Sequence, residues 1–411
     1  MPGPLHGVRV LDLTRILAGP TMTQIFADLG ADVIKIERPG RGDDTRQWGP
    51  PFLLDEDGNE TDQAGYYLSV NRGKHSLALD IRSEKGRAIV RDLAAKSDVV
   101  AENFKVGGLK KIGLDYESLK AVNPALVYLS ITGFGQTGPD AAQPGYDYLI
   151  QARAGLMSIT GHEDGAPGAG PMRVGVGICD LQTGLMGAVG TLAALLHARA
   201  SGEGQHIDIS LLDTQVAMLV NQGFNYLVTG RAPGRTGDWH PNLAPYQPFE
   251  TADDTVVIAV GNDGQFRALC DLLGEPWADE ERFATNPARV RHRKELAALI
   301  SVQTVREPAA HWLDILPKHN VPACPVNDIA QVFEDRQVLA RGMKLELDHP
   351  LAGTVPGIAN PLNFSATPTA YEKAPPLLGE DSRAVLSRVL EMDEDAIDAL
   401  AAEGVIEQVA R

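Results

Sequence analysis

Residues 7–36 read GVRVLDLTRILAGPTMTQIFADLGADVIKI, and this stretch decides the fold class. Gly7 to Leu13 is an apolar-rich run that reads as a buried strand. Ala18 to Ala31 carries a helical pattern, with Pro20 in the first turn, where its missing N–H is not needed. Asp32 to Ile36 (DVIKI) is a second strand. Two strands joined through a helix make a parallel pair. The rhythm continues outward through strands at His75 to Ile81, Val99 to Glu102 and Leu126 to Ile131. Helices fall between them at Ser83 to Lys96 and Leu109 to Ala121. This predicts an α/β protein whose large domain is a Rossmann-like, mostly parallel sheet covered on both faces. Such sheets bind ligands at the carboxyl ends of their strands. The loops there are Thr14 to Pro20, Glu37 to Trp48, Asn103 to Gly108 and Thr132 to Gly138.

A chain of 411 residues exceeds one typical core. After Asp180 comes a long apolar helix, Leu181 to Ala200, then a strand at His206 to Ser210 and a helix at Leu211 to Thr229. Gly230 to Ala244 is rich in Gly, Arg, Pro and Asn and reads as a loop. A smaller α+β unit follows, with strands at Tyr246 to Ala252 and Val256 to Val260. Its helices are Asp263 to Leu273, Arg293 to Val302 and Ala309 to Leu316. Gly342 to Thr367 reads as an extended arm, and Asp381 to Val409 as two closing helices. The expected division is a large domain over 1–200 completed by 381–411, a linker over 201–244, a small domain over 245–335 and a return linker over 336–380.

Charge narrows the partners. Acidic residues outnumber basic ones 54 to 37, a formal charge of -17, which repels nucleic acid and anionic membranes. An anionic ligand therefore needs locally gathered cations. Arg15, Arg38, Arg41, Arg46, Arg72, Lys74, Lys110 and Lys111 all fall in or beside loops of the first domain. Three unclustered cysteines, Cys179, Cys270 and Cys324, argue for a reducing compartment. No secretory signal is visible, and the apolar stretch Leu185 to Ala198 is too short to span a bilayer. A cytoplasmic protein is expected. No metal motif, GxGxxG, Walker A or GxSxG pattern appears, so no metal, dinucleotide or serine nucleophile is expected. Asp43 and Asp44 read as turn residues. Asp180 has two readings: an N-cap, or an ionised carboxylate presented to a substrate, since carboxylates act as covalent nucleophiles at activated acyl centres. Unaided, the residues describe an α/β enzyme for an anionic, phosphate-bearing ligand.

Seven segments carry a resemblance: VLDLTRILAGP (Val10 to Pro20), LGADVIKIERPGRGDDTR (Leu29 to Arg46), NRGKHSLALD (Asn71 to Asp80), ENF (Glu102 to Phe104), GYDYLIQARAGLM (Gly145 to Met157), DLQTGL (Asp180 to Leu185) and GEGQHIDISLLD (Gly202 to Asp213). In this order and spacing the chain resembles the class III coenzyme A transferases. The resemblance implies Asp180 as nucleophile, passing through a mixed anhydride and an aspartyl-CoA thioester. It implies an acyl-CoA as substrate, no tightly bound cofactor, and an interlocked homodimer. Carried over by position, Ile16, Leu17 and Ala18 would approach the ligand with their backbone. Arg38, Lys74 and Lys111 would meet phosphates, and Asn103 and Phe104 would hold adenine or the pantetheine arm. Arg72 and Asp147 would join the CoA site, and Tyr146 would lie near the reacting carbonyl. GNDGQ (Gly261 to Gln265) matches the family's glycine loop, with Gly261 and Gly264 toward substrate, but is not all glycine.

GDDTRQWGPPF (Gly42 to Phe52), YYLSVNRGK (Tyr66 to Lys74), PYQPF (Pro245 to Phe249) and GNDGQF (Gly261 to Phe266) are similar to the succinyl-CoA-dependent glutarate or hydroxymethylglutarate branch. A dicarboxylate needs a cation for its distal carboxylate, and Arg46 and Arg72, beside Trp48, are the candidates. Oxalate or carnitine-like acids are the alternative acceptors, although Leu17 stands where oxalate enzymes typically have Gln. The rival class is a 2-methylacyl-CoA racemase of the same fold. Its usual GHD is Gly145-Tyr146-Asp147 here, and a phenol is a poor base at neutral pH.

Overall fold

A computed structural model describes residues 2–408. Its main sheet has seven strands: β1 (Arg9–Asp12), β2 (Asp32–Glu37), β3 (Lys74–Leu79), β4 (Val99–Glu102), β5 (Val127–Thr132), β6 (His206–Ser210) and β7 (Ile406–Glu407). Their order is β7-β3-β2-β1-β4-β5-β6, parallel except for β7, which pairs antiparallel with β3. The first six strands thus run 3-2-1-4-5-6, and the order reverses between β1 and β4. That reversal opens a crevice outside the carboxyl ends of the two strands.

Central strands buried on both faces account for the near-continuous apolar runs. One face packs Val10, Val33, Val99 and Val127 against helices α1 (Ala18–Asp28) and α4 (Ile178–Ser201). The other packs Leu11, Ile34, Val100 and Tyr128 against α2 (Glu84–Ala95) and the C-terminal helices Ser382–Leu390 and Glu394–Ala402. α4 is 24 residues long, long and apolar enough to cross a membrane, which corrects the shorter sequence reading. It is a helix of the fold, packed on α1, β5 and α5 (Leu211–Ala217).

The chain divides into two compact units: residues 1–156, 174–228 and 337–411, and residues 157–173 and 229–336. Two linkers are corrected. Within 201–244, β6 completes the main sheet, and α5 and α6 (Val220–Thr229) follow it; the expected single helix over Leu211 to Thr229 breaks where Val220 takes φ +40°. Within 336–380, the hairpin Lys344–His349 and Gly353–Ile358 belongs to the large unit, because Leu347 and Val355 bury a small core with Ala374. Leu109 to Ala121 is two short turns, interrupted by Gly113 at φ +69°. The second unit holds a three-stranded antiparallel sheet, Tyr246–Glu250, Thr255–Ala259 and Ala323–Pro325, under helices that include Asp263–Leu273 and Arg293–Thr304. Val409, the expected end of the closing helices, and Met1 lie outside the described residues.

Candidate functional site

Three backbone segments meet at the crevice. Thr14 to Ala18 leaves β1 and starts α1, Asn103 to Val106 leaves β4, and Gly145 to Asp147 starts α3 (Asp147–Arg153). They surround a cavity of about 150 Å³ lined by Ile16, Leu17, Ala18, Asn103, Tyr146 and Asp180, among others. The approach is close because glycines allow it. A Cβ on Gly133 would lie 2.4 Å from Gly145 Cα, so the β5 exit and the start of α3 touch backbone to backbone. A Cβ on Gly184 would lie 2.6 Å from the Ala18 carbonyl oxygen, which brings the first turn of α1 onto the second turn of α4.

Asp180 is not an N-cap: Gly177 holds that place, and Asp180 is the third residue of α4. The cap comes from α3. Asp147 Oδ2 accepts the N–H of Cys179 at 2.7 Å and that of Asp180 at 3.3 Å, and its Oδ1 accepts Gln151 Nε2 at 2.6 Å. The helix end that would favour an ionised Asp180 is therefore already occupied by another carboxylate. Burial, and then the charge of Asp147, push the Asp180 carboxyl up to about 7. A half-buried carboxylate that changes charge near neutrality, aimed into a cavity at the switch point, is a functional-site signature. Tyr66, which opens the quoted segment Tyr66 to Lys74 but was given no role there, also feels this cluster: burial, then Asp180, Asp147 and Asp43, push its phenol up to about 12. The exposed Trp48 packs edge-on against it, with ring centroids 5.2 Å apart.

A second cavity, of about 360 Å³, adjoins the first and shares Arg15 and Phe104 with it. Arg38 and Arg82 line it, and Leu79, Ile81 and Leu109 give it an apolar floor. Arg82 was not foreseen. Asn103, in the lining of the first cavity, commits its amide to the Arg15 backbone: its Oδ1 accepts Arg15 N–H at 3.1 Å and its Nδ2 donates to Arg15 O at 2.7 Å. Lys111 is exposed on the turn Lys110–Ile112 and lines neither cavity.

Three expected ligand cations are committed elsewhere. Lys74 is fully buried, its ammonium donating to Asp12, Asn71 and Pro20 O. Burial pushes it down to about 7, against the pull of Asp12. Arg46 makes a two-pronged bond to Glu37, 2.7 Å on each prong, over the ring of Tyr67. Arg72 grips Asp28 in the same way and donates to Ile358 O, tying the Lys344–Ile358 hairpin to the sheet. Their physical role is structural, because a buried acid left unpaired is costly. Arg46→Ala is accordingly expected to cost about 3–5 kcal/mol in urea unfolding. A selective rise in KM for dicarboxylates at unchanged stability would count against this assignment. Gly261 and Gly264 are exposed in the second unit, where Gly261 N–H donates to Gln265 Oε1 and Asn262 caps helix Asp263–Leu273. GNDGQ is thus a helix cap rather than a free glycine loop.

Fold and site together define an α/β protein with a carboxylate at the sheet's switch point, in a cavity that adjoins a second one lined by Arg15, Arg38 and Arg82. Residues 5–382 match CoA-transferase family III. The chain is 50% identical over 394 residues to a succinate–glutarate CoA-transferase of Agrobacterium fabrum, covering 96% of this chain and 97% of that protein. It is 45% identical to a succinyl-CoA:glutarate CoA-transferase of Mus musculus, with coverages of 98% and 91%. A crystal structure of a CAIB/BAIF family protein from Brucella suis superposes with a TM-score of 0.83 at 47% identity, covering 95% of this chain and all of that one. The chain belongs to CoA-transferase family III and is an enzyme of that class.

Proposed function

We propose that this enzyme moves CoA from succinyl-CoA to glutarate, with Asp180 as nucleophile. The observation that carries the reading is the half-buried Asp180 carboxylate in the cavity at the switch point, supported by near-full-length similarity to glutarate transferases from a bacterium and a mammal. Oxygen of Asp180 attacks the thioester carbonyl; a C–O bond forms, the C–S bond breaks, and CoA leaves as thiolate. The thiolate attacks the aspartyl carbonyl, expelling succinate and leaving an aspartyl-CoA thioester. Glutarate then attacks that thioester, and the released thiolate takes the glutaryl group from the new anhydride. Each exchange trades one activated acyl group for another, so no ATP is consumed. Each intermediate is open to hydrolysis, so the reaction requires water to be kept from Asp180 while it is acylated.

In this reading the first cavity holds the thioester, and the N–H groups at the start of α1 face its oxygen. The second cavity takes the nucleotide end, with Arg38, Arg82 and Arg15 toward the phosphates and Phe104 where the two cavities join. Tyr146, 55% exposed, lines the first cavity where a racemase would need a base, which favours transfer. The catalyst is proposed to be a cytoplasmic homodimer, interlocked as the family resemblance implies. Supporting this, Leu185, Val189 and Leu196 on α4, and Phe224, Leu227 and Val228 on α6, are each more than half exposed, apolar surface that a second chain would cover. Sedimentation at twice the 44.0 kDa chain mass tests the dimer. The reaction is tested by incubating the enzyme with succinyl-CoA and a panel of acids including glutarate and oxalate, and identifying new thioesters by mass spectrometry. Glutaryl-CoA is the expected main product; its absence would refute the acceptor assignment.

A further inference from the structure

Ile16 has φ +74°, a left-handed conformation that a β-branched residue adopts at a cost of about 1–3 kcal/mol. Strain of that size persists only where the surroundings over-determine it. Here they do. Thr14 O accepts the Lys35 ammonium at 2.9 Å, and Thr14 N–H donates to Asp12 at 2.9 Å. Both backbone groups of Arg15 are bonded to Asn103. Ile16 N–H points between the two carboxylate oxygens of Asp43, 3.2 Å from each. Asp43 is itself immobilised. It is buried, takes the fully buried Lys35 at 2.9 Å and the N–H and hydroxyl of Thr45 at 3.0 and 2.9 Å, and its own N–H donates to Glu37. Burial alone would raise the Asp43 carboxyl, but Lys35 and Thr45 hold it below its usual range, so it stays an acceptor at neutral pH.

The left-handed turn decides where the next residues go. A Cβ on Gly177 would lie 2.8 Å from Leu17 Cδ2, and one on Gly184 would lie 2.6 Å from Ala18 O. These glycines bracket Asp180 on α4. Leu17 therefore packs on the residue that caps α4 and Ala18 on its second turn, and both line the cavity that Asp180 lines.

We propose that Asp43, locked by Lys35, is a positioning residue for acyl transfer: it holds Ile16 in the left-handed turn that seats Leu17 and Ala18 against the start of α4, where Asp180 stands. The inference rests on the transferase reading above, and goes beyond it by assigning a positioning role to a residue that lines the second cavity and not the one that holds the reacting carboxylate. Asp43 lies under the loop, so its loss moves the loop rather than the nucleophile. A 1 Å misplacement of such a group costs about 10²-fold in rate.

The test separates positioning from folding. With succinyl-CoA and glutarate, Asp43→Asn is expected to lower kcat by ~10²-fold while KM for succinyl-CoA changes by less than ~3-fold. Adding Ile16→Gly to Asp43→Asn is expected to restore kcat at least tenfold, because glycine takes positive φ without strain and no longer needs the carboxylate. Ile16→Pro leaves the Lys35–Asp43 pair intact but removes the N–H and forbids positive φ; it is expected to lose at least as much kcat as Asp43→Asn, and it decides the matter if Asp43→Asn does not fold. An Asp43→Asn loss that Ile16→Gly fails to relieve, or an Ile16→Pro enzyme within ~3-fold of the parent kcat, would overturn the proposal while leaving the parent's activity, and so the transferase reading, standing. A parent enzyme that transfers CoA to no acid would defeat both.

Discussion

Asp180→Ala is expected to lower CoA transfer by ~10⁴-fold or more while succinyl-CoA still binds, since the nucleophile lies outside the larger cavity assigned to the nucleotide. Hydroxylamine added to the parent enzyme with succinyl-CoA should convert Asp180 alone to a hydroxamate, read as a mass change on its peptide; a mark on Asp147 would transfer the role. The carboxyl's displacement from 3.8 to about 7 adds a stability signature. Below pH ~4 the group is protonated in both folded and unfolded chains. Between pH ~4 and ~7 the folded chain keeps the proton that the unfolded chain has lost, so this group's contribution falls as pH rises. Above pH ~7 the folded chain carries a buried charge costing up to about 4 kcal/mol. Asp180→Asn removes that cost. It should therefore be more stable than the parent, by a margin that widens from pH 5 to pH 8 in urea titrations. An equal margin at both pH values would mean that Asp180 is ionised at ordinary acidity.

The large unit was legible because its central strands are buried on both faces and write near-continuous apolar runs, and because helices such as α2 and α5 begin on a capping serine, Ser83 and Ser210. β7 escaped notice: two residues, Ile406 and Glu407, joining from the far end of the chain, leave no periodic pattern. The three cations misread as ligands share one cause. Lys74, Arg46 and Arg72 sit at strand ends or in loops, as phosphate ligands do, but Asp12 and Asp28 meet Lys74 and Arg72 through strand pairing and helix packing that no local window contains, and Glu37 meets Arg46, nine residues on, because the chain leaving β2 folds back on it. The opposite error befell Asp43. Its turn chemistry was visible, with Thr45 two residues on. What could not be seen is that β2 delivers Lys35 beneath it and that the β1 exit lays Ile16 above it. Asp180 was singled out as a residue at a helix start and given its role by the family resemblance; its raised carboxyl follows first from burial and then from the charge of Asp147 at the end of its helix.

Asp147 separates placement from charge at the same nucleophile, and two substitutions should pull the effects apart. Asp147→Ala removes the acceptor for Cys179 and Asp180 N–H and the partner of Gln151, so the first turn of α4 loses its cap. A cap is worth about 1 kcal/mol in stability, but a loosened first turn carries Asp180 with it, and kcat should fall by ~10²-fold. Asp147→Asn keeps an oxygen for those N–H groups and deletes the charge, so its kcat should fall only about tenfold. The sign of its pH effect is fixed by electrostatics. Behind burial, the Asp147 charge is the second cause raising the Asp180 carboxyl. Without it the carboxyl ionises at lower pH, and the acid limb of kcat/KM, expected near pH 7 in the parent, moves down. A mutant that loses rate with its acid limb unmoved would show that burial alone sets the nucleophile's charge, and that Asp147 serves only to hold the helix end.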